Sequence, residues 1–182
     1  MAFWTESSIE PKRNFRFQVQ LGDDVIWWAK NVTTPSFDVA SVEHNYLDNK
    51  YFFPGRVTWQ DVSLTLVDPI SIDAVKKTNE YVIGKNTSNL NYKVKQETDL
   101  ETTVSKAKAT EALGEVVITI LDSAGNAVET WTLNNAFLLS AKYGDLAYDN
   151  DELRTIDMTF KYDWASCETA DGTGQFVRSE ER

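Results

Sequence analysis

The chain carries one cysteine, Cys167, and one histidine, His44, among its 182 residues. A lone cysteine excludes an internal disulfide and any zinc site built from several cysteines. A histidine-based triad or metal site would rest on His44 alone, in the β-prone run Val42-Glu43-His44-Asn45, where a surface or interface role is the simpler reading. No Gly-x-Ser-x-Gly elbow, His-Glu-x-x-His pair or phosphate-cradling glycine loop occurs. No apolar run approaches the ~18–20 residues a membrane span needs. The opening segment, Met1–Arg13, lacks the basic-then-apolar order of a secretory signal. Basic residues are scarce too, 18 against 28 acidic, which leaves a formal charge of −10. So much negative charge repels phosphate and argues against tight nucleic-acid binding, though not against a surface past which nucleic acid slides. With 42% hydrophobic and 12% aromatic residues, the chain is too apolar for disorder and long enough for one domain with a sizeable core. A soluble, acidic, non-secreted globular domain is expected.

Period-two patterning dominates and predicts a mostly β fold. In Asn14–Leu21, Phe15, Phe17, Val19 and Leu21 alternate with polar residues, and Gly22-Asp23-Asp24 reads as a turn. A strand from Val25 to about Thr34 carries Trp27 and Trp28 on opposite faces and stops before Pro35. Residues 45–56 read as a long hairpin arm, followed by a strand Val57–Val67 with a bulge near Gln60-Asp61. One helix is expected over Pro69–Ile83, with Asp68 as cap, Pro69 at the first position and Gly84 past the end. Residues 85–113 read as a loop, with a short helix over Ser105–Leu113 ended by Gly114. A hairpin Glu115–Leu133 turns at Asp122–Asn126. Asn135–Tyr143 then places Phe137, Leu139, Ala141 and Tyr143 on one face. The strand 152–164 sets Ile156, Met158, Phe160, Tyr162 and Trp164 against Thr155, Asp157, Thr159, Lys161 and Asp163. Residues 165–182 read as a tail after one domain, 14–164, preceded by an arm, 1–13.

Catalytic candidates are thin, and the expectation is a protein that is not an enzyme and holds no cofactor or metal. The acidic run Asp145…Asp149-Asn150-Asp151-Glu152 lacks the glycine and terminal glutamate of a calcium loop, so solvated carboxylates in a turn explain it. A glycosidase carboxylate pair is weakly supported when 28 acids make some pair inevitable. A carbohydrate-binding β-sandwich using Trp27, Trp28 or Trp59 is the main rival from another class. The unexplained feature is apolar content in the extensions: Phe3 and Trp4 in the arm, Tyr51, Phe52 and Phe53 in the hairpin. Clusters of this kind usually mark an interface.

The ordered set Arg13–Val19, Thr33-Thr-Pro35, the hairpin to Gly55, Trp59–Asp68 leading into the helix, and Gly144…Asp151–Trp164 resembles the tube proteins of contractile phage tails. That resemblance implies an antiparallel β-sandwich or barrel with one packed helix, in hexameric rings stacked into a hollow tube. It implies inter-ring stacking through Phe3, Trp4, Tyr51, Phe52 and Phe53. It further implies an acidic lumen lined by Thr155, Asp157, Thr159, Lys161 and Asp163, and sheath contact through Lys76, Lys77 and Glu80. The implied partners are further copies of the chain, a sheath protein, and baseplate and terminator proteins, with DNA passing unbound and no membrane insertion. The implied location is the virion tail, after assembly in the host cytoplasm. An inner-tube protein of a related secretion or bacteriocin-like system is the close alternative.

Overall fold

A computed structural model describes residues 10–70, 74–83, 105–149, 151–170 and 172. The strands are β1 (Phe17–Leu21), β2 (Asp24–Val25), β3 (Ala29–Val32), β4 (Phe37–Tyr46), β5 (Asn49–Trp59) and β6 (Val62–Val67). Two helices follow, α1 (Ala74–Ile83) and α2 (Lys106–Leu113), and then β7 (Val116–Leu121), β8 (Ala127–Asn134), β9 (Phe137–Lys142), β10 (Thr155–Lys161) and β11 (Trp164–Thr169). They form a five-stranded sheet ordered β11-β8-β7-β1-β2, a four-stranded sheet ordered β3-β6-β10-β9, and a separate ribbon of β4 and β5. Every pairing is antiparallel.

The two larger sheets pack face to face because alternate residues on each are apolar. Val19, Leu21, Val116, Ile118 and Leu133 come from one, and Val62, Leu64, Leu66, Ile156, Met158 and Phe160 from the other, all essentially water-free. The helices close one flank. Lys77 Nζ and the Tyr81 hydroxyl both donate to the Asp24 carboxylate on β2, at 2.9 and 3.4 Å. The Tyr143 hydroxyl beyond β9 donates to Asn79 of α1 at 3.0 Å. The mostly β architecture is therefore as expected, as are the 115–133 hairpin, the short helix before Gly114 and the Gly22-Asp23 turn.

Several boundaries differ, each for a local reason. Asn14 and Phe15 form a turn, closed by the Arg16 amide on the Arg13 carbonyl, which leaves Phe15 in solvent. The 25–34 segment breaks into β2 and β3, because the Ile26 amide bonds back to the Val19 carbonyl and the chain turns at Trp27-Trp28. Gln60-Asp61 is a crossing between sheets rather than a bulge: β5 belongs to the ribbon and β6 to the four-stranded sheet. Asp68 does not cap a helix at Pro69; its carboxylate pairs with Arg154 at 3.3 Å, and the described helix begins at Ala74. Strict alternation in β9 fails at Leu139, where the register with β10 slips by one residue, so Leu138 is buried and Leu139 exposed. The chain turns at Tyr162-Asp163, and β11 adds residues 164–169 to the five-stranded sheet, burying Ala165 and Cys167. The domain thus extends past 164 into the segment read as tail. Of the loop expected over 85–113, residues 105–113 hold α2; residues 84–104 lie outside those described.

Candidate assembly surfaces

The ribbon is the least ordinary surface of the molecule. Its two strands join through a two-residue turn, Leu47-Asp48, with Leu47 at φ +52°. Every position from Phe37 to Thr58 is exposed. Pairing puts Val42 opposite Phe53 and His44 opposite Tyr51, with Tyr46 beyond them on the same face. A register shift between Val39 and Ser41 keeps the other face apolar too, with Phe37 opposite Trp59, Val39 opposite Val57, and Phe52 opposite Glu43. The base is anchored: Phe37 and Trp59 meet edge-on at 5.3 Å, and Trp59 lies 5.9 Å from Tyr162 of the body. Above that anchor no described residue covers it. Phe52 is 64% exposed and Phe53 56%. A bare two-stranded ribbon is marginal in water, so apolar residues on both faces call for two covering surfaces.

Tyr51 and Phe53 thus share one face of the ribbon and Phe52 the other, while Phe3 and Trp4 lie outside the described residues. Thr155, Asp157, Thr159 and Lys161 do fall together, on the outward face of the four-stranded sheet. Thr65 donates to Asp157 at 2.6 Å and Lys161 to Asp61 at 2.6 Å, and Asp157 sits opposite Lys142. Ser63, Thr65, Thr159 and Ser140 occupy the same face. That face is hydroxyl-rich, and its carboxylates are matched by lysines, rather than acidic. Asp163 leaves the set. It lies at the corner before β11, where Lys106 of α2 donates to it, as does Asn135 at 2.8 Å. Those two bonds, Lys106 first, hold its carboxyl below the usual range.

Lys77 is committed inward. Its bond to Asp24 raises its pKa and ties α1 to β2, so of the three helix residues singled out, only Lys76 is fully exposed. Trp27 points to solvent and Trp28 inward, 5.4 Å apart at 89°, which is no flat platform for a sugar ring. Trp59 is half-buried at the ribbon base. His44 is exposed beside Tyr51, and Cys167 is buried, which raises its pKa. Among the described residues no group of three or more His, Cys, Asp or Glu is placed to hold a metal.

Two features were not legible as surfaces in the sequence. One is an open cleft of about 420 Å³ between the sheets, with Phe17, Val32, Ile118 and Ile120 as apolar lining and Lys12, Arg13 and Arg16 around it. Lys12 pairs there with Glu129, and Arg16 with Glu10 at 2.6 Å. The other is a set of exposed apolar residues at the opposite end: Trp27, Ile70, Leu146, Tyr148 and Leu153. They sit in turns and loops without periodicity, so no sequence pattern collects them.

Sheets, flanking helices and projecting ribbon together make the fold found in components of contractile injection systems. A chain of the tube-terminating cap of the anti-feeding prophage superposes with a TM-score of 0.65 at 18% identity, covering 89% of this chain and 93% of that one. A chain of the sheath–tube complex of the extracellular contractile injection system PVC gives 0.61 at 18% identity, over 91% and 99%. The sheath/tube terminator of the PVC system gives 0.64 at 17% identity, over 90% and 100%. No family model and no curated protein sequence matches the chain.

Proposed function

We propose that the chain is the structural subunit of a tube in a phage-tail-like contractile particle, forming rings that stack into a hollow conduit. The observation that carries this reading is the ribbon. Among the described residues nothing covers the apolar side chains on its two faces, and it belongs to a fold shared with tube-system components. In this reading neighbouring four-stranded sheets join around a hexameric ring through β3 and β9, the strands at the two edges of that sheet among the described residues. The ribbon, with Phe3 and Trp4 of the arm, covers the next ring. The face of Thr155, Asp157, Thr159 and Lys161 lines the lumen. Cargo moves past it, a genome in a phage tail, because paired charges and hydroxyls offer phosphate no basic patch to bind. Lys76 and Glu80 face a sheath outside, and no bond is made or broken. The particle ends on baseplate and terminator proteins and assembles in the host cytoplasm.

A second reading, a terminator cap, is favoured by the likeness to the anti-feeding prophage cap. Negative-stain electron microscopy of the purified full chain separates the two. Stacked hollow tubes support the tube subunit, and single rings that never stack support the cap. A monomer at every concentration contradicts both.

A further inference from the structure

The sandwich is open on one side, at the cleft of about 420 Å³ between its sheets. Phe17, Ile118 and Ile120 line the wall of the five-stranded sheet, and Val32 lines the facing wall. Phe17, Val32 and Ile120 keep part of their surface in solvent. The cations at its rim are largely spent, Lys12 on Glu129 and Arg16 on Glu10. What the cleft lacks is apolar cover for both walls at once. An extended segment supplies that, because its successive side chains point to opposite sides.

The end of β11 delivers such a segment. Thr169, Glu129, Ile120 and Phe17 are successive pairing partners in one row across β11, β8, β7 and β1. At ~4.8 Å per strand, Ile120 lies about 10 Å from Thr169 and Phe17 about 14 Å. The Gly172 amide bonds back to the Thr169 carbonyl at 2.9 Å, so the chain turns at the end of that row, with Gly172 at φ +70°. Residues 173–182 lie outside those described, and their large apolar side chains are the adjacent Phe176 and Val177. Four residues span at most ~14 Å, which brings Phe176 within reach of Ile120 and Phe17. From this placement we infer that the cleft is the seat of the chain's own Phe176-Val177 segment. Phe176 packs on Phe17, Ile118 and Ile120, and Val177 packs on Val32. Apolar contact carries the docking, since Arg178 and Arg182 cancel Glu180 and Glu181. The base of the N-terminal arm is already committed as rim, through Lys12 and Glu10, and leaves the interior of the cleft free. Docking closes the open side of the sandwich within one copy, so it goes beyond the tube reading and does not depend on it.

Disulfide trapping in the full chain tests this. Thr34 is exposed and lines the cleft on the Val32 side, and Gln175 shares the side of an extended segment that Val177 takes. Thr34→Cys with Gln175→Cys should therefore bridge under mild oxidation within one chain, at monomer mass on a denaturing gel. The control is Gln18→Cys with Gln175→Cys, because Gln18 is exposed on β1 but faces away from the cleft. Peptide mass separates both bridges from any product of Cys167. The cleft pair should bridge many times faster than the control. Equal rates, or a bridge found only between two chains, would overturn the inference. A second measurement uses Phe176→Asp with Val177→Asp, or Phe176→Ser with Val177→Ser if the charged pair perturbs folding. Either variant should bind more of an apolar fluorescent dye and melt at a lower temperature than the wild type. Variants equal to the wild type in both respects would overturn the inference and leave the cleft to another occupant.

Discussion

Phe160 and Phe52 are the same side chain under opposite constraints. Phe160 is 1% exposed between the two sheets, and Phe52 stands in solvent on the ribbon. Phe160→Ala should lower unfolding stability by ~3–5 kcal/mol through lost transfer energy plus a cavity. Phe52→Ala should leave the melting of an isolated copy unchanged and weaken only assembly. Calorimetry beside sedimentation checks both; equal melting losses would mean that Phe52 is buried within its own chain. Asp163 gives a pH prediction of definite sign. Its folded carboxyl is held low, so its stabilisation is present above an ordinary aspartate value of about 3.9 and is lost as pH falls through the lower folded value. Asp163→Asn should flatten the fall in melting temperature below about pH 4. It should not abolish that fall, because Asp122, held low chiefly by Asn126, remains. Both partners of the Lys106 pair are substantially exposed, so the effect is small and shrinks with salt.

Among elements, those with period-two alternation are legible in the sequence alone: β1 from Phe17 on, β7, β8 and β10. The best-read position was Gly114, expected to end a helix, which it does at φ +73°. A Cβ on Gly114 would meet the Gly22 Cα at 2.9 Å, and Gly22 itself sits at φ +57° in the turn after β1. Gly114→Ala should therefore cost ~1–3 kcal/mol through strain and clash together, measured by denaturant unfolding. A neutral result would show that the α2 terminus shifts freely against the β1–β2 turn. What escaped the sequence were elements decided by partners. Ala165–Thr169 reads as tail because only Ala165 and Cys167 turn inward, and pairing with β8 makes it, with Trp164, a strand. Gln60-Asp61 reads as a bulge because a change of sheet leaves no mark on period-two patterning. Leu139 is exposed by a one-residue slip against β10 that alternation cannot reveal.

At the scale of the whole molecule, charge and apolar surface are sorted rather than spread. The formal −10 does not collect on the outward face of the four-stranded sheet, where Asp61 meets Lys161 and Asp157 lies across from Lys142. The 143–154 loop at one rim holds a net −3 of it, Asp145, Asp149, Asp151 and Glu152 against Arg154, with the apolar ribbon at the other. The sequence leads one to expect the ribbon aromatics Tyr51, Phe52 and Phe53 to be exposed in a single copy, and they are. Ile70 and Leu153 carry no mark in the sequence beside Trp27, because the three are far apart along the chain and reach one rim only through the Val67–Trp28 and Asp68–Arg154 bonds. The measurement that tests the central claim most directly is sedimentation velocity of the full chain across a concentration series, wild type beside Phe52→Glu with Phe53→Glu. The account predicts a wild type that shifts to ring-sized and then polymeric species, and a folded variant that stops short of polymer. A wild type that stays monomeric throughout, or a variant that polymerises equally well, would contradict it.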